Sequence, residues 1–185
     1  MTRWIAAMML ALLPSMAWAQ AAAPAPTVYK VNATSLDIVV ADRTPHEYPQ
    51  VGHLAPTTFE QALRAWAAQR FQLTGGSVNT LRITLKEGRI TERILPITTG
   101  IRGWFKKEES VAYDGVLSLE VAIVDPNGTV LTKAESTAQV GRTLIEGATS
   151  ADKAATWAEM VKTAFDNADR ELAARLRETM AEYVN

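Results

Sequence analysis

The chain has 185 residues, no cysteine, and 19 basic against 20 acidic side chains, for a net charge of -1. The lack of cysteine excludes disulfides, thiolate metal ligands, a thiol nucleophile and a lipid attached to cysteine. The even charge balance leaves no global field to favour nucleic acid, so any electrostatic recognition is local.

Arg3 places a positive charge ahead of an apolar run over residues 4–13, which Pro14 and Ser15 end. That is half the roughly 20 apolar residues a membrane-spanning helix needs, and it is the length of a signal-peptide core. Ala17 and Ala19 then give the A-x-A spacing of a cleavage site. Residues 1–19 are therefore expected to be a signal peptide cut near Ala19, which leaves a periplasmic chain starting near Gln20. Residues 20–34 read as an Ala/Pro-rich linker and N-terminal arm, and residues 35–185 as a single domain. A mature chain of about 165 residues can bury roughly 70% of its unfolded surface, enough to stand without disulfides.

The first strand is predicted over residues 36–41, a β-branched run. A connector over residues 42–56 follows, with Pro45, Pro49, Gly52 and Pro56 and with both histidines, His46 and His53. Helix one is signalled by Thr57-Thr58-Phe59-Glu60, with Thr57 as cap and Glu60 reaching back. Its expected stripe is Phe59, Ala62, Leu63, Trp66, Ala67 and Phe71, and Gly75-Gly76 is expected to close it. Strict alternation then puts Leu81, Ile83 and Leu85 on one side of a half-buried strand. Residues 90–97 extend or bulge from it, and Pro96 argues against a central position there.

Residues 113–139 show the pattern of a β-hairpin that turns through Asp125-Pro126-Asn127-Gly128. Its return strand sets small residues, Ala134, Ser136 and Ala138, on one side, which lets a helix pack close. The last segment, residues 151–183, carries Trp157, Val161, Ala164, Phe165, Ala168, Leu172, Leu176, Met180 and Tyr183 at helical spacing, capped by Thr149 or Ser150. The order gives an α+β two-layer sandwich, about four mainly antiparallel strands with two helices on one face. A final helix of about 33 residues reaches about 50 Å, longer than strands of about nine to twelve residues. It is therefore expected to break or to overhang the sheet.

No Walker, dinucleotide or nucleophile-elbow pattern occurs, and the two histidines have no partner at metal-ligand spacing. No catalytic residue, metal or cofactor is expected. Residues 100–107 do have unusual surface chemistry: Arg102, Trp104, Phe105, Lys106 and Lys107 sit together in a glycine-bounded connection. They form either a lid over a sheet edge or a contact for a partner protein or a lipid headgroup layer. The overhanging side of Leu172, Leu176, Met180 and Tyr183 is the second contact candidate, to be met by the arm around residues 28–31 or by another chain.

The segments His53-Leu54-Ala55-Pro56, Ala62-Leu63-Arg64-Ala65-Trp66, residues 100–105, residues 113–121 and the Trp157 helix resemble a family of small Gram-negative envelope lipoproteins. More distantly they are similar to LPS-assembly (LptE-like) and ABC-transport auxiliary lipoproteins. The resemblance implies an envelope-associated sheet-and-helix fold and transfers no catalytic residue. Such families carry a lipidated cysteine after the signal, where this chain has Ala17-Trp18-Ala19; a soluble periplasmic form is implied instead. The expected function is a non-catalytic envelope accessory or scaffold that binds another envelope protein, with peripheral membrane contact and no nucleic acid. The alternative is a carrier of an apolar small molecule or lipid, in a cavity lined by Trp66, Phe71, Leu119, Trp157 and Phe165.

Overall fold

The computed structural model describes residues 27–96 and 108–184. Four strands form one sheet in the order β2 (Ser35–Val40), β4 (Thr80–Ile94), β5 (Glu109–Val124) and β6 (Val130–Ile145). The β2 strand runs parallel to β4, and the other pairs are antiparallel. Helices α1 (Phe59–Arg70) and α2 (Ser150–Thr179) cover one face, so the chain is the expected α+β two-layer sandwich. Two short strands, β1 (Tyr29–Val31) and β3 (Phe71–Leu73), make a separate parallel pair beside it.

Alternation places Leu81, Ile83 and Leu85 of β4 against Ile123, Val121 and Leu119 of β5, all fully buried under the helices. On β6 the buried side chains at the helix are Ala134, Ser136 and Ala138, which bring α2 close; Ala164 and Ala168 answer from the helix. The hairpin extends further than its pattern predicts, from Glu109 to Ile145, and its turn uses Gly128 at φ 87°. The free side of β6 is shielded from below: the Thr137 amide donates to Glu171 at 3.2 Å, and Arg142 pairs with Glu159 at 2.7 Å. Charged cover of this kind blunts an edge strand against pairing with other chains.

Several expectations need correction. Thr58, not Thr57, caps α1, with Gln61 as the reciprocal partner at 3.0 and 3.3 Å. Both registers satisfy the capping-box pattern, and the one adopted seats Phe59 on the sheet at Gly88. The helix ends at Arg70 rather than at Gly75-Gly76, because Phe71 leaves it to pair with Tyr29 in the β1–β3 ladder. Gly75, at φ 71°, turns the chain after β3 instead. The N-terminal arm thus contributes a strand, β1.

The β4 strand is a single long strand with a bulge between Leu85 and Glu87. Beyond the bulge it is flanked on both sides, since Val51 donates to the Ile90 carbonyl and Glu92 to the Pro49 carbonyl, each at 2.8 Å. Pro96 lies past the end of β4 and does not interrupt it. The expected overhang is absent as well. At 30 residues α2 is continuous and spans about 45 Å, whereas the 16-residue strands β5 and β6 reach about 53 Å. The chain just past its end is then held by the arm, with Asn32 donating to the Tyr183 carbonyl at 2.8 Å.

Candidate functional site

The connector between β2 and α1 is built by specific polar contacts. The Asp42 carboxylate accepts from the Thr44 amide and hydroxyl at 3.0 and 2.6 Å, and from the Gly88 amide at 3.2 Å. This ties the connector to the β4 bulge. Further along, a β-carbon on Gly52 would stand 3.1 Å from the Ile90 nitrogen, so glycine is what lets the backbone lie against β4. The connector brings His46 and His53 together, with rings stacked at 5.1 Å and 17°. They face a cavity of about 450 Å³ floored by Val40, Leu85 and Phe59.

The carboxylates in that cavity are committed to structure, Asp42 as above and Glu60 to Arg64 at 2.9 Å. The His53 Nδ1 atom is buried without a hydrogen-bond partner among the described residues. No group of three His, Cys, Asp or Glu side chains among the described residues is placed to hold a metal ion. The cavity therefore offers imidazole faces and an apolar floor.

At the neighbouring end of the sheet, large apolar side chains stand in solvent. Ile94 is 70% exposed, Tyr48 63%, and Ile145 46%. Ile94 and Leu144 both pair with Val111 and share the helix side of the sheet, whereas Ile145, the residue after Leu144, lies on the outer side. Tyr48 precedes Pro49, whose carbonyl binds the Glu92 amide two residues before Ile94. The segment with Arg102, Trp104, Phe105, Lys106 and Lys107 joins β4 to β5 at this same end, and it lies outside the described residues.

Behind this end is a rigid polar anchor. The Tyr113 hydroxyl donates to Glu92 at 2.9 Å, and Lys153, from the first turn of α2, approaches the same carboxylate at 3.5 Å. Burial pushes the Tyr113 phenol above its usual pKa, and the bond to Glu92 and the charge of that carboxylate add to the shift. The exposed residues are thus presented by a fixed frame.

The other surfaces differ in character. On the outer face of the sheet Lys133 lies 2.7 Å from Glu135 and 3.2 Å from Glu120, and Lys86 is within 3.8 Å of both carboxylates. Hydrogen bonding to Lys133 holds the Glu135 carboxyl down at about 2. Two cations and two anions balance there, so this face presents no net field.

Between the helices runs a groove of about 430 Å³ along Trp66, Val161 and Phe165. All five residues expected to line a carrier cavity are packed in the core, and of these Trp66 and Phe165 also border this groove. Leu172, Leu176 and Met180, read as contact candidates, are also core: each is fully buried by the chain itself, and Tyr183 is partly buried against them. The apolar side of α2 lies on β5 and β6, and the arm closes its C-terminal end, with Val184 bridged to Val31. Leu172, Leu176 and Met180 therefore have no surface to offer a partner.

No family model matches the chain, and no curated protein matches it. Solved structures do. The chain is similar to a minor lipoprotein from Acinetobacter baumannii, at 13% identity and TM-score 0.41, over 80% of this chain and 94% of that one. It is similar to a candidate homologue of a neuraminyllactose-binding hemagglutinin from Helicobacter pylori, at 11% identity and TM-score 0.40, over 77% and 83%. A candidate lipoprotein from Caulobacter crescentus CB15 follows at 14% identity and TM-score 0.35, over 72% and 82%. None of these three is named as an LptE-like or ABC-transport auxiliary protein. Among the described residues, no helix is long and apolar enough to cross a membrane.

Sequence reasoning missed Tyr48, Ile94, Ile145 and the meeting of the histidines. A signal existed for Tyr48, a large apolar residue set within a proline-rich connector. For Ile94 the alternation itself gives no hint, because it lies on the helix side and its exposure depends on where the helices stop covering the sheet; Ile145 lies on the outer side.

Proposed function

We propose that the chain is a non-catalytic accessory protein of the Gram-negative cell envelope. It works in the periplasm after its leader is removed, and it binds another envelope protein through the β4–β5 end of its sheet. The observation that carries this reading is the group of Ile94, Tyr48 and Ile145, exposed at 70%, 63% and 46% on a well-anchored frame. Large apolar residues left exposed at one end of a stable fold mark a surface that meets something. The connection that holds Trp104, Phe105 and the cations Arg102, Lys106 and Lys107 joins the strands there and extends the same chemistry, aromatic anchors with basic neighbours.

The test is photo-cross-linking in the intact envelope, with the reactive group placed in turn at Tyr48, Ile94 and Lys133. The reading expects one shared adduct from the first two positions and none from Lys133 on the outer face. The adduct should be lost in Trp104→Ser/Phe105→Ser with the unfolding midpoint unchanged. Absence of any adduct at Tyr48 and Ile94, or recovery of the uncut product starting at Met1 among cytosolic proteins, overturns it.

A further inference from the structure

The groove between α1 and α2 leaves Trp66 and Phe165 beside an open channel, and its walls at Ala62, Ala65 and Ala158 are cut back to methyl groups. One end of this groove is Arg70, which holds Asp169 at 2.5 Å. Arg70 also donates to the Thr27 carbonyl at 3.3 Å. The polypeptide upstream of Thr27 therefore joins the described fold at the groove's end. Its heading is set by β1, which runs parallel to β3 with Tyr29 opposite Phe71. Phe71 follows α1 directly, so the arm meets the fold at the C-terminal end of that helix.

We propose that this groove is the docking site of the chain's own Ala/Pro-rich segment, residues 20–26. Length agrees: seven residues of polyproline II rise about 22 Å, against about 18 Å for the twelve residues of α1. Chemistry agrees as well. The segment Gln20-Ala21-Ala22-Ala23-Pro24-Ala25-Pro26 has no charge and no side chain larger than glutamine, which suits a shallow channel with methyl-lined walls. Proline-rich segments dock on aromatic-lined grooves because their extended form is already set before binding, so little chain entropy is lost.

The chain has no cysteine, so paired cysteines test this cleanly. The full chain is prepared as Ala23→Cys/Ala62→Cys and as Ala23→Cys/Ala158→Cys, one pair for each wall. A control, Ala23→Cys/Lys133→Cys, uses the far face of the sheet. Under mild oxidation both groove pairs should lose their thiols as a monomeric product, while the control keeps them, since a disulfide needs Cα atoms within about 7 Å. Unfolding of the reduced variants at the parent midpoint verifies the fold. Thiols retained in both groove pairs, a disulfide-linked dimer, or equal oxidation of the control each overturn the proposal. The dimer would assign the groove to a second copy's arm.

Discussion

Arg70 on α1 and Asp169 on α2 form an ion pair at 2.5 Å with both side chains largely buried, and it joins the two helices across the groove. Trp66 donates its indole N–H to the other carboxylate oxygen at 3.0 Å. Removing one member leaves a shielded charge and an indole without partners. Asp169→Ala is therefore expected to cost about 3 kcal/mol, read from urea unfolding. The double replacement Arg70→Met/Asp169→Leu should recover most of that loss, since apolar pairs of similar volume replace buried ion pairs at little cost. A double variant no better than the single one would count against this account.

Gly88 is where α1 meets the sheet. A β-carbon there would stand 2.8 Å from the Phe59 β-carbon, whereas one at Gly141 would meet nothing within 4 Å. Gly88→Ala should lower stability by about 1–3 kcal/mol by forcing Phe59 and the start of α1 away from β4. Gly141→Ala should stay within about 0.5 kcal/mol of the parent. Thermal and urea unfolding of the two variants decides the point.

Alkaline pH should expose the Tyr113 anchor. Its phenol pKa is raised by burial and then by Glu92, so the folded state keeps the proton longer than the unfolded chain does. The stability it adds is complete below the unfolded tyrosine pKa of about 10 and falls as pH rises beyond it. Tyr29, raised mainly by burial, acts with the same sign. Urea midpoints followed from about pH 9 to about pH 11 should decline in the parent and decline less in Tyr113→Phe. Equal slopes would remove Tyr113 as the source.

The start of α2 depends on Thr149 and Asp152, which bond each other's backbone at 2.8 and 3.2 Å. Thr149→Ala should cost about 1 kcal/mol at neutral pH. The Asp152 carboxyl is held below its ordinary pKa by the Thr149 amide and then the hydroxyl. Its contribution is present above the unfolded carboxylate pKa of about 4 and lost as pH falls through the lower folded value. Asp152→Asn should therefore weaken the acid-side decline of the unfolding midpoint.

Much of the sandwich was legible because it rests on short-range periodicity. Leu81, Ile83 and Leu85 alternate, Trp157 to Leu176 recur at helical steps, and Asp125 to Gly128 spell a turn, each within a few residues of chain. The misreadings share a different origin. Thr57 and Thr58 carry equivalent capping signals, and the choice fell to the one that lands Phe59 on Gly88, almost thirty positions downstream. Phe71 fits a helical stripe as well as it fits a strand, and pairing with Tyr29 decided it. The candidate site was half visible: the aromatic connection stands out as composition, while Ile94 and Ile145 look like ordinary strand residues.

Residue order alone determined the leader-like start, the absence of thiol chemistry, the amphipathic faces and the α+β class, since each follows from local composition or period. Only the tertiary structure decided that β2 lies parallel to β4, that Leu172, Leu176 and Met180 are buried within the chain itself, and that His46 meets His53. The physical reason is that a periodic pattern states that a face must be buried or a backbone group bonded. Which distant segment supplies the cover or the partner depends on long-range closure of the chain.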